Sequence, residues 1–159
     1  MHTPKIINIE KKTLIGMRQK MSLIQQLTGQ LWQRFMPFRS SIENTVSEDL
    51  FSLQVYPEQY FKEFNPSLEF EKWALAEVKN AMNIPQNMEV FELEGGDYAV
   101  FEHKGMNTDT SIFGYIYNEW IPNSEYDLDD RPHFEILGAR YKNNDPNSEE
   151  EIWIPIKKK

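Results

Sequence analysis

The sequence predicts an α+β domain built from two β-α-β-β units in tandem. Three observations point there. Segments that alternate apolar and polar residues are interleaved with two stretches whose apolar residues recur at three- and four-residue spacing. Each of those stretches ends in aromatic, aliphatic, proline: Phe35-Met36-Pro37 in the first and Trp120-Ile121-Pro122 in the second. The segments that follow match in order, Ser52-Leu53-Gln54-Val55-Tyr56 with His133-Phe134-Glu135-Ile136-Leu137, then Glu71-Lys72-Trp73-Ala74-Leu75 with Glu151-Ile152-Trp153-Ile154-Pro155. Repetition in a fixed order is a fold-level signal. The 159 residues have room for one domain, 1–159, with halves falling near 1–82 and 83–159.

The first strand candidate is Lys5 to Lys11, where Ile7 and Ile9 alternate with Asn8 and Glu10; the second is Thr13 to Arg18. Ser22-Leu23-Ile24-Gln25 reads as a capping box, in which the hydroxyl and the amide side chain each satisfy a free backbone N–H. Behind it Leu23, Ile24, Leu27, Leu31 and Phe35 form one apolar stripe of a helix. Gly29 weakens that helix, and Pro37 ends or kinks it for want of an amide donor. Leu50 to Tyr56 alternates as a strand and stops at Pro57. Phe70 to Val78 suits a strand or a short helix on periodicity alone; its match to the last segment of the chain settles it as a strand.

Pro85 and then Gly95-Gly96, read as a hairpin turn, mark the passage to the second half. Asp97 to His103 is a buried strand ended by Gly105. Asn107 and Thr108 are candidate caps for a helix carrying Ile112, Phe113, Ile116, Tyr117 and Trp120, closed by Pro122. A polar loop from Asn123 to Arg131 leads to a strand at Pro132 to Leu137. A second, Lys142 to Glu149, leads to the last strand at Glu150 to Ile156.

Charge and composition exclude several classes. Seventeen Lys and Arg against 25 Asp and Glu leave a net charge of −8, the wrong sign for a surface that must neutralise phosphates, so no direct nucleic-acid partner is expected. The terminal Lys157-Lys158-Lys159 is a solvated tail. Without cysteine there is no disulfide, thiolate nucleophile or cysteine metal site. His2, His103 and His133 lack metal-ligand spacing, and the acidic runs at 127–130 and 149–151 lack a calcium loop's ligand pattern, so neither metal nor cofactor is expected. No serine sits in a Gly-x-Ser-x-Gly elbow. No apolar run approaches the ~20 residues of a membrane helix, and no signal-peptide core follows Met1, so a cytoplasmic location is expected.

Strand side chains alternate faces. Ile152, Ile154 and Ile156 therefore share one face, and Glu151, Trp153 and Pro155 the other. The isoleucines are assigned to the helices. By the same reasoning Phe134, Ile136, Leu53 and Val55 face the helices, while His133, Glu135, Leu137, Gln54, Tyr56, Glu71 and Trp73 face away. The helix-free face would then show Tyr56, Trp73 and Trp153 around Gln54 and Glu135. Aromatic walls around a carboxylate suit flat, apolar, cationic molecules, which gain stacking, cation–π attraction and a charge partner. The same alternation also fits an ordinary second core layer with Glu135 at an exposed sheet edge. His133 fits either a bond to Glu135 or a satisfied surface histidine.

Gly95-Gly96-Asp97-Tyr98-Ala99-Val100-Phe101-Glu102-His103-Lys104-Gly105, Tyr117-Asn118-Glu119-Trp120-Ile121-Pro122, Phe134-Glu135-Ile136 and Glu151-Ile152-Trp153-Ile154-Pro155-Ile156 resemble, in that order, the GyrI-like effector-binding domain family. Leu31-Trp32-Gln33-Arg34-Phe35-Met36-Pro37 and Leu53-Gln54-Val55-Tyr56 are similar to the N-terminal unit of its stand-alone members. The resemblance implies antiparallel sheets flanking a central groove for small molecules. It implies that Glu135 engages cationic ligands there, with Leu137, Glu151 and Trp153 as further contacts. Tyr56, Trp73 and Gln54 from the face argument, and Tyr115 and Trp120 of the second helix, complete the candidate set.

The function so implied is the binding of an amphipathic, aromatic or cationic effector or toxin, in the manner of a transcription regulator's sensor without a DNA-binding domain of its own. A protein partner, either a regulator or DNA gyrase, is a further implication, and an acidic face could serve gyrase as a DNA mimic. The alternative is a hydrolase of cyclopropane-bearing genotoxins with Glu135 as general base. Trp153, standing where the family commonly has tyrosine, removes a hydroxyl that such chemistry uses.

Overall fold

The computed structural model describes residues 3–106 and 108–159. Among them nine antiparallel strands and two helical stretches make an α+β fold: β1 (Lys5–Ile9), β2 (Lys12–Met21), α1 (Thr28–Phe35), β3 (Thr45–Val55), β4 (Phe70–Val78), β5 (Glu89–Leu93), β6 (Gly96–Lys104), α2 (Ser111–Tyr115), β7 (Tyr126–Leu128), β8 (His133–Leu137) and β9 (Glu149–Lys158). The strand order is β1-β6-β9-β8-β3-β4-β2-β5, with β7 added on β9.

That order dictates a curled sheet. β1 stands at one end and β2 near the other, yet only Glu10 and Lys11 join them. Three peptide steps reach at most about 11 Å, so the two ends of the sheet lie side by side there. The β5-to-β6 connection makes the opposite crossing through Glu94 and Gly95. Gly95 occupies the tight point: a Cβ on it would sit 2.5 Å from the Ile9 carbonyl oxygen. Gly95-Gly96 is therefore a crossover and no hairpin, since β5 pairs with β2 while β6 pairs with β1 and β9.

The curl encloses one core, in which Trp73, Leu75, Leu53, Tyr98, Phe134 and Trp153 are buried. Phe134 stacks on Trp153 with centroids 5.2 Å apart and planes at 16°. The outer face carries two further cores. α1 sets Leu31 and Phe35 on Ile15, Met17, Ala74 and Ala76. The second helical stretch sets Ile112, Ile116 and Ile121 on Ala99, Phe101, Ile152, Ile154 and Ile156.

Several expectations are adjusted. The first helix begins at Thr28, later than Ser22; the Ser22 hydroxyl does accept the Gln25 N–H at 3.1 Å, but it caps a turn, leaving Leu23 and Ile24 exposed. Pro37 opens a 3₁₀ turn over Met36–Ser41. Asn107 lies outside the described residues, and α2 starts at Ser111, whose N–H donates to Asp109 at 3.0 Å. It passes into a π-helical turn, Ile116–Trp120, where the Ile121 N–H donates to the Ile116 carbonyl, and Pro122 falls within the short α segment Ile121–Asn123 that closes it. Phe70 to Val78 is a strand with the bounds expected.

The assignment of faces divides. Ile152, Ile154 and Ile156 meet the helix and Trp153 points away, as expected. Phe134, Leu53, Val55 and Ile136, however, join Trp153 on the helix-free side. Register explains it: Phe134 lies opposite Trp153 and Leu53, and Leu53 lies opposite Trp73, and cross-strand partners share a face. Both faces of these strands are apolar in part, so alternation alone does not say which one meets a helix.

Candidate functional site

With those apolar residues turned inward, their neighbours on β3, β4 and β8 face outward, between the two helices. One cross-strand row runs Ala74, Ser52, Glu135, Ile152, and the next runs Lys72, Gln54, His133. α1 covers the Ala74 end of the first row and α2 the Ile152 end. The polar residues occupy the furrow between.

These groups are unusually buried for their chemistry. Lys72 is 7% exposed, Gln54 7% and His133 5%. Charged and amide groups in such places require partners. Gln54 provides one in the amide orientation that satisfies both neighbours, its nitrogen donating to the His133 carbonyl at 3.0 Å and its oxygen accepting from the Lys72 ammonium. Burial pulls the Lys72 pKa below the usual lysine range, with Glu135 and Glu150 pulling it back up. Glu150 shares a face of β9 with Ile152 and keeps partial solvent contact. Its carboxyl is pushed up to about 8, first by burial, then by the Glu135 charge, with Lys72 opposing. None of the ion pairs within 4.0 Å among the described residues joins Lys72 to either carboxylate.

Aromatic rings close one end. Phe61 stacks on His133 at 5.1 Å and 17°, and Tyr56 meets the same imidazole edge-on at 4.9 Å. Tyr60 packs on Tyr56 at 4.5 Å, and Phe61 on Tyr117 at 5.2 Å. Tyr60 and Phe61 belong to the connection between β3 and β4, which folds over the furrow. The Tyr117 hydroxyl and His133 Nδ1 are 3.1 Å apart, at hydrogen-bond distance. Tyr117 comes from the π-helical turn, a distortion that recurs at functional sites. Burial, and then Arg131, push His133 down to about 3, so the ring is neutral at ordinary pH. Burial and Glu135 raise the Tyr117 phenol, which stays protonated.

Of the nine residues singled out from sequence, Glu135, Gln54 and Tyr56 come together in the furrow. Leu137, opposite Leu50, packs at its α1 side. Trp73, Trp153 and Glu151 lie across the sheet. There each tryptophan donates to the carboxylate two residues before it, Trp153 to Glu151 at 3.2 Å and Trp73 to Glu71 at 2.6 Å. Trp120 packs on Phe101 and Tyr126 beside the second helical core, and Tyr115 is partly buried against the same core. Trp153 and Glu135 cannot share a side, because Glu135 is registered opposite Ile152.

Sequence reasoning passed over Lys72, Glu150, Tyr117, Phe61 and Tyr60, and it left His133 between the surface and a bond to Glu135. One signal was available. Lys72 is in phase with Ala74 and Ala76, and Glu150 with Ile152 and Ile154, so each is a charge placed at a core-facing position. Two open surface hollows lie elsewhere, one beside Phe64 and Leu68 and one beside Phe38 and Ile84. Neither contains a buried ionisable group, and the furrow is the better candidate. Among the described residues no cluster of His, Asp and Glu is suited to a metal ion, and no helix is long and apolar enough to cross a membrane.

A family model described as Cass2, integron-associated effector binding protein, matches residues 5–156. The transcriptional regulator BrlR of Pseudomonas aeruginosa is 28% identical over 154 residues, 96% of this chain and 54% of BrlR, so the chain spans about half the length of that relative. Among solved structures, SAV2435 bound to tetraphenylphosphonium is similar with a TM-score of 0.74 at 16% identity, covering 97% of this chain and 93% of that one. The C-terminal domain of EcmrR is similar with a TM-score of 0.71 at 15% identity, covering 100% and 99%. At such identities the two structures establish a shared fold.

Proposed function

The chain belongs to the family of integron-associated effector-binding proteins, of the GyrI-like effector-binding kind, and on that premise we propose that it binds amphipathic aromatic cations in the furrow between its two helices. One observation carries the assignment of the site: two acids, Glu135 and Glu150, stand close enough for the Glu135 charge to raise the Glu150 carboxyl, on a floor flanked by the rings of Tyr56, Phe61, Tyr117 and His133. Such a floor gives a cation both a charge partner and π-faces. The tetraphenylphosphonium held by SAV2435 is a molecule of this class. The likeness to a transcriptional regulator supports a sensing role, in which ligand capture is reported to a regulator or another protein.

The furrow fits a construction from two β-α-β-β units, β2-α1-β3-β4 and β6-α2-β8-β9. Exchanging the units turns the order β6-β9-β8-β3-β4-β2 into its own reverse, which supports that reading; under it the furrow would fall on the pseudo-twofold axis. Isothermal titration with tetraphenylphosphonium tests the function. Trp73 and Trp153 lie on the far side of the sheet, so calorimetry is better placed than tryptophan fluorescence. Glu135→Gln should weaken binding by about 1–3 kcal/mol through loss of the charge partner. Equal affinity in both proteins removes Glu135 from the site.

A second reading draws on Glu150, whose carboxyl burial and Glu135 push up to about 8, toward the range a general base uses. Repeated turnover of a cyclopropane-bearing electrophile, abolished in Glu150→Gln, would favour hydrolysis; one molecule retained per chain would return the furrow to binding.

A further inference from the structure

Lys72 is the least expected group in the furrow. An ammonium carries three N–H donors, and burying them unpaired is costly. Lys72 is 7% exposed, and among the described residues its hydrogen-bond partner is the Gln54 amide oxygen. Glu135 and Glu150 face the same furrow and act on it electrostatically, without an ion pair inside 4.0 Å. Lys72 is on β4 and Glu135 on β8, with β3 between them and their rows two residues apart, so two inter-strand steps of about 4.8 Å and an offset of about 7 Å along the strands separate their backbones. The other titratable groups around the furrow, the phenols of Tyr56, Tyr60, Tyr117 and Tyr141 and the His133 imidazole, are neutral near pH 7.

The floor thus presents separated charges of both signs. A bare cation entering it meets Lys72 as a like charge, and it meets a Glu135 whose field Lys72 already offsets. A molecule with both a positive centre and an accepting oxygen would satisfy Glu135 and the spare ammonium donors together. We propose that Lys72 is a specificity-determining residue, selecting aromatic molecules that carry an anionic oxygen as well as a positive centre, the oxygen bound by Lys72 and the positive centre by Glu135. This deepens the furrow-binding reading and rests on it.

Two dyes that differ in one group give the test. Rhodamine 110 pairs a cationic xanthene with a free carboxylate, and rhodamine 123 is its methyl ester. Fluorescence anisotropy at pH 7.5 would measure both on the whole chain, with tetraphenylphosphonium titrated in parallel. The wild type should bind rhodamine 110 at least ~10-fold more tightly than the ester, the scale of one charge-assisted hydrogen bond. Lys72→Met should erase that preference by weakening rhodamine 110, leaving the ester as tight or tighter. Lys72→Gln is the second variant, and circular dichroism verifies that both fold. A wild type that binds the ester as well as the acid, or a preference that survives both substitutions, overturns the role of Lys72 while tetraphenylphosphonium still binds. Failure of all three compounds to bind the wild type overturns the furrow reading and this inference with it.

Discussion

The two faces of the central strands bury their side chains to nearly the same depth and to opposite effect. On the inner face Trp73, Leu53 and Phe134 are 4%, 0% and 1% exposed; on the outer face, one residue along each strand, Lys72, Gln54 and His133 are 7%, 7% and 5% exposed. Inside, rings meet rings, and the polar atoms are answered locally: Trp73 by Glu71, Trp153 by Glu151, and the Tyr98 hydroxyl by the Pro132 carbonyl at 2.8 Å. Outside, an ammonium and two acidic side chains share a floor without closing an ion pair. Depth of burial therefore does not distinguish a core from a site. The charge carried at that depth does.

The comparison breaks most readily at its inner member. Phe134 packs on Phe51, Tyr98 and Trp153, so Phe134→Ala should cost about 3–5 kcal/mol, the usual penalty for emptying a buried ring. Lys72→Met, equally deep, should cost less, about 1–3 kcal/mol at most, since the hydrogen bond lost by Gln54 is offset by removal of a desolvated charge and the stem is kept. Denaturant melts of both would measure this, and equal losses would abolish the distinction between the faces.

A pH series sharpens the contrast next. Glu150 has a folded pKa of about 8 against an ordinary value of 4.5, so the folded state holds a proton that the unfolded chain has released between those limits. Its contribution to stability is present at pH 4.5 and is lost as the pH rises toward 8; Glu150→Gln should flatten that slope. His133 runs the other way. Its folded pKa of about 3 lies below the usual 6.5, so stability present above pH 6.5 is lost as the pH falls toward 3. Phe134→Ala should lower the whole curve and leave its shape unchanged.

The smallest effect expected is that of Tyr117→Phe, which removes one hydroxyl from His133 and should cost about 1 kcal/mol in the same melts. A loss several times larger would mean that the tyrosine holds the β3–β4 connection closed over the furrow.

Much of the sheet is legible in the residues because strands announce themselves by alternation. The Phe70 to Val78 strand was ambiguous alone and was resolved by its match to the end of the chain. The first helix begins five residues later than the Ser22 cap implies, because the Ser22 capping interaction forms without a helix behind it. β5 went unread, its Glu-Val-Phe-Glu-Leu alternation lost in a stretch taken as a passage between halves. The faces were misassigned for a different reason: a sheet that curls has an apolar interior of its own, so an apolar face need not look toward a helix. That choice put Trp153 and Glu135 on one side when register places them on two. Phe61 and Tyr60 reach the furrow from a connection whose path no periodicity encodes.

The crossing at Glu10-Lys11 and Glu94-Gly95 has a mechanical consequence. Each half of the chain lends its opening strand to the far edge of the other: β1 bonds β6, and β5 bonds β2. A cut in the polypeptide near residue 82 would therefore leave two fragments clasped together, neither able to depart without stripping a strand from its partner.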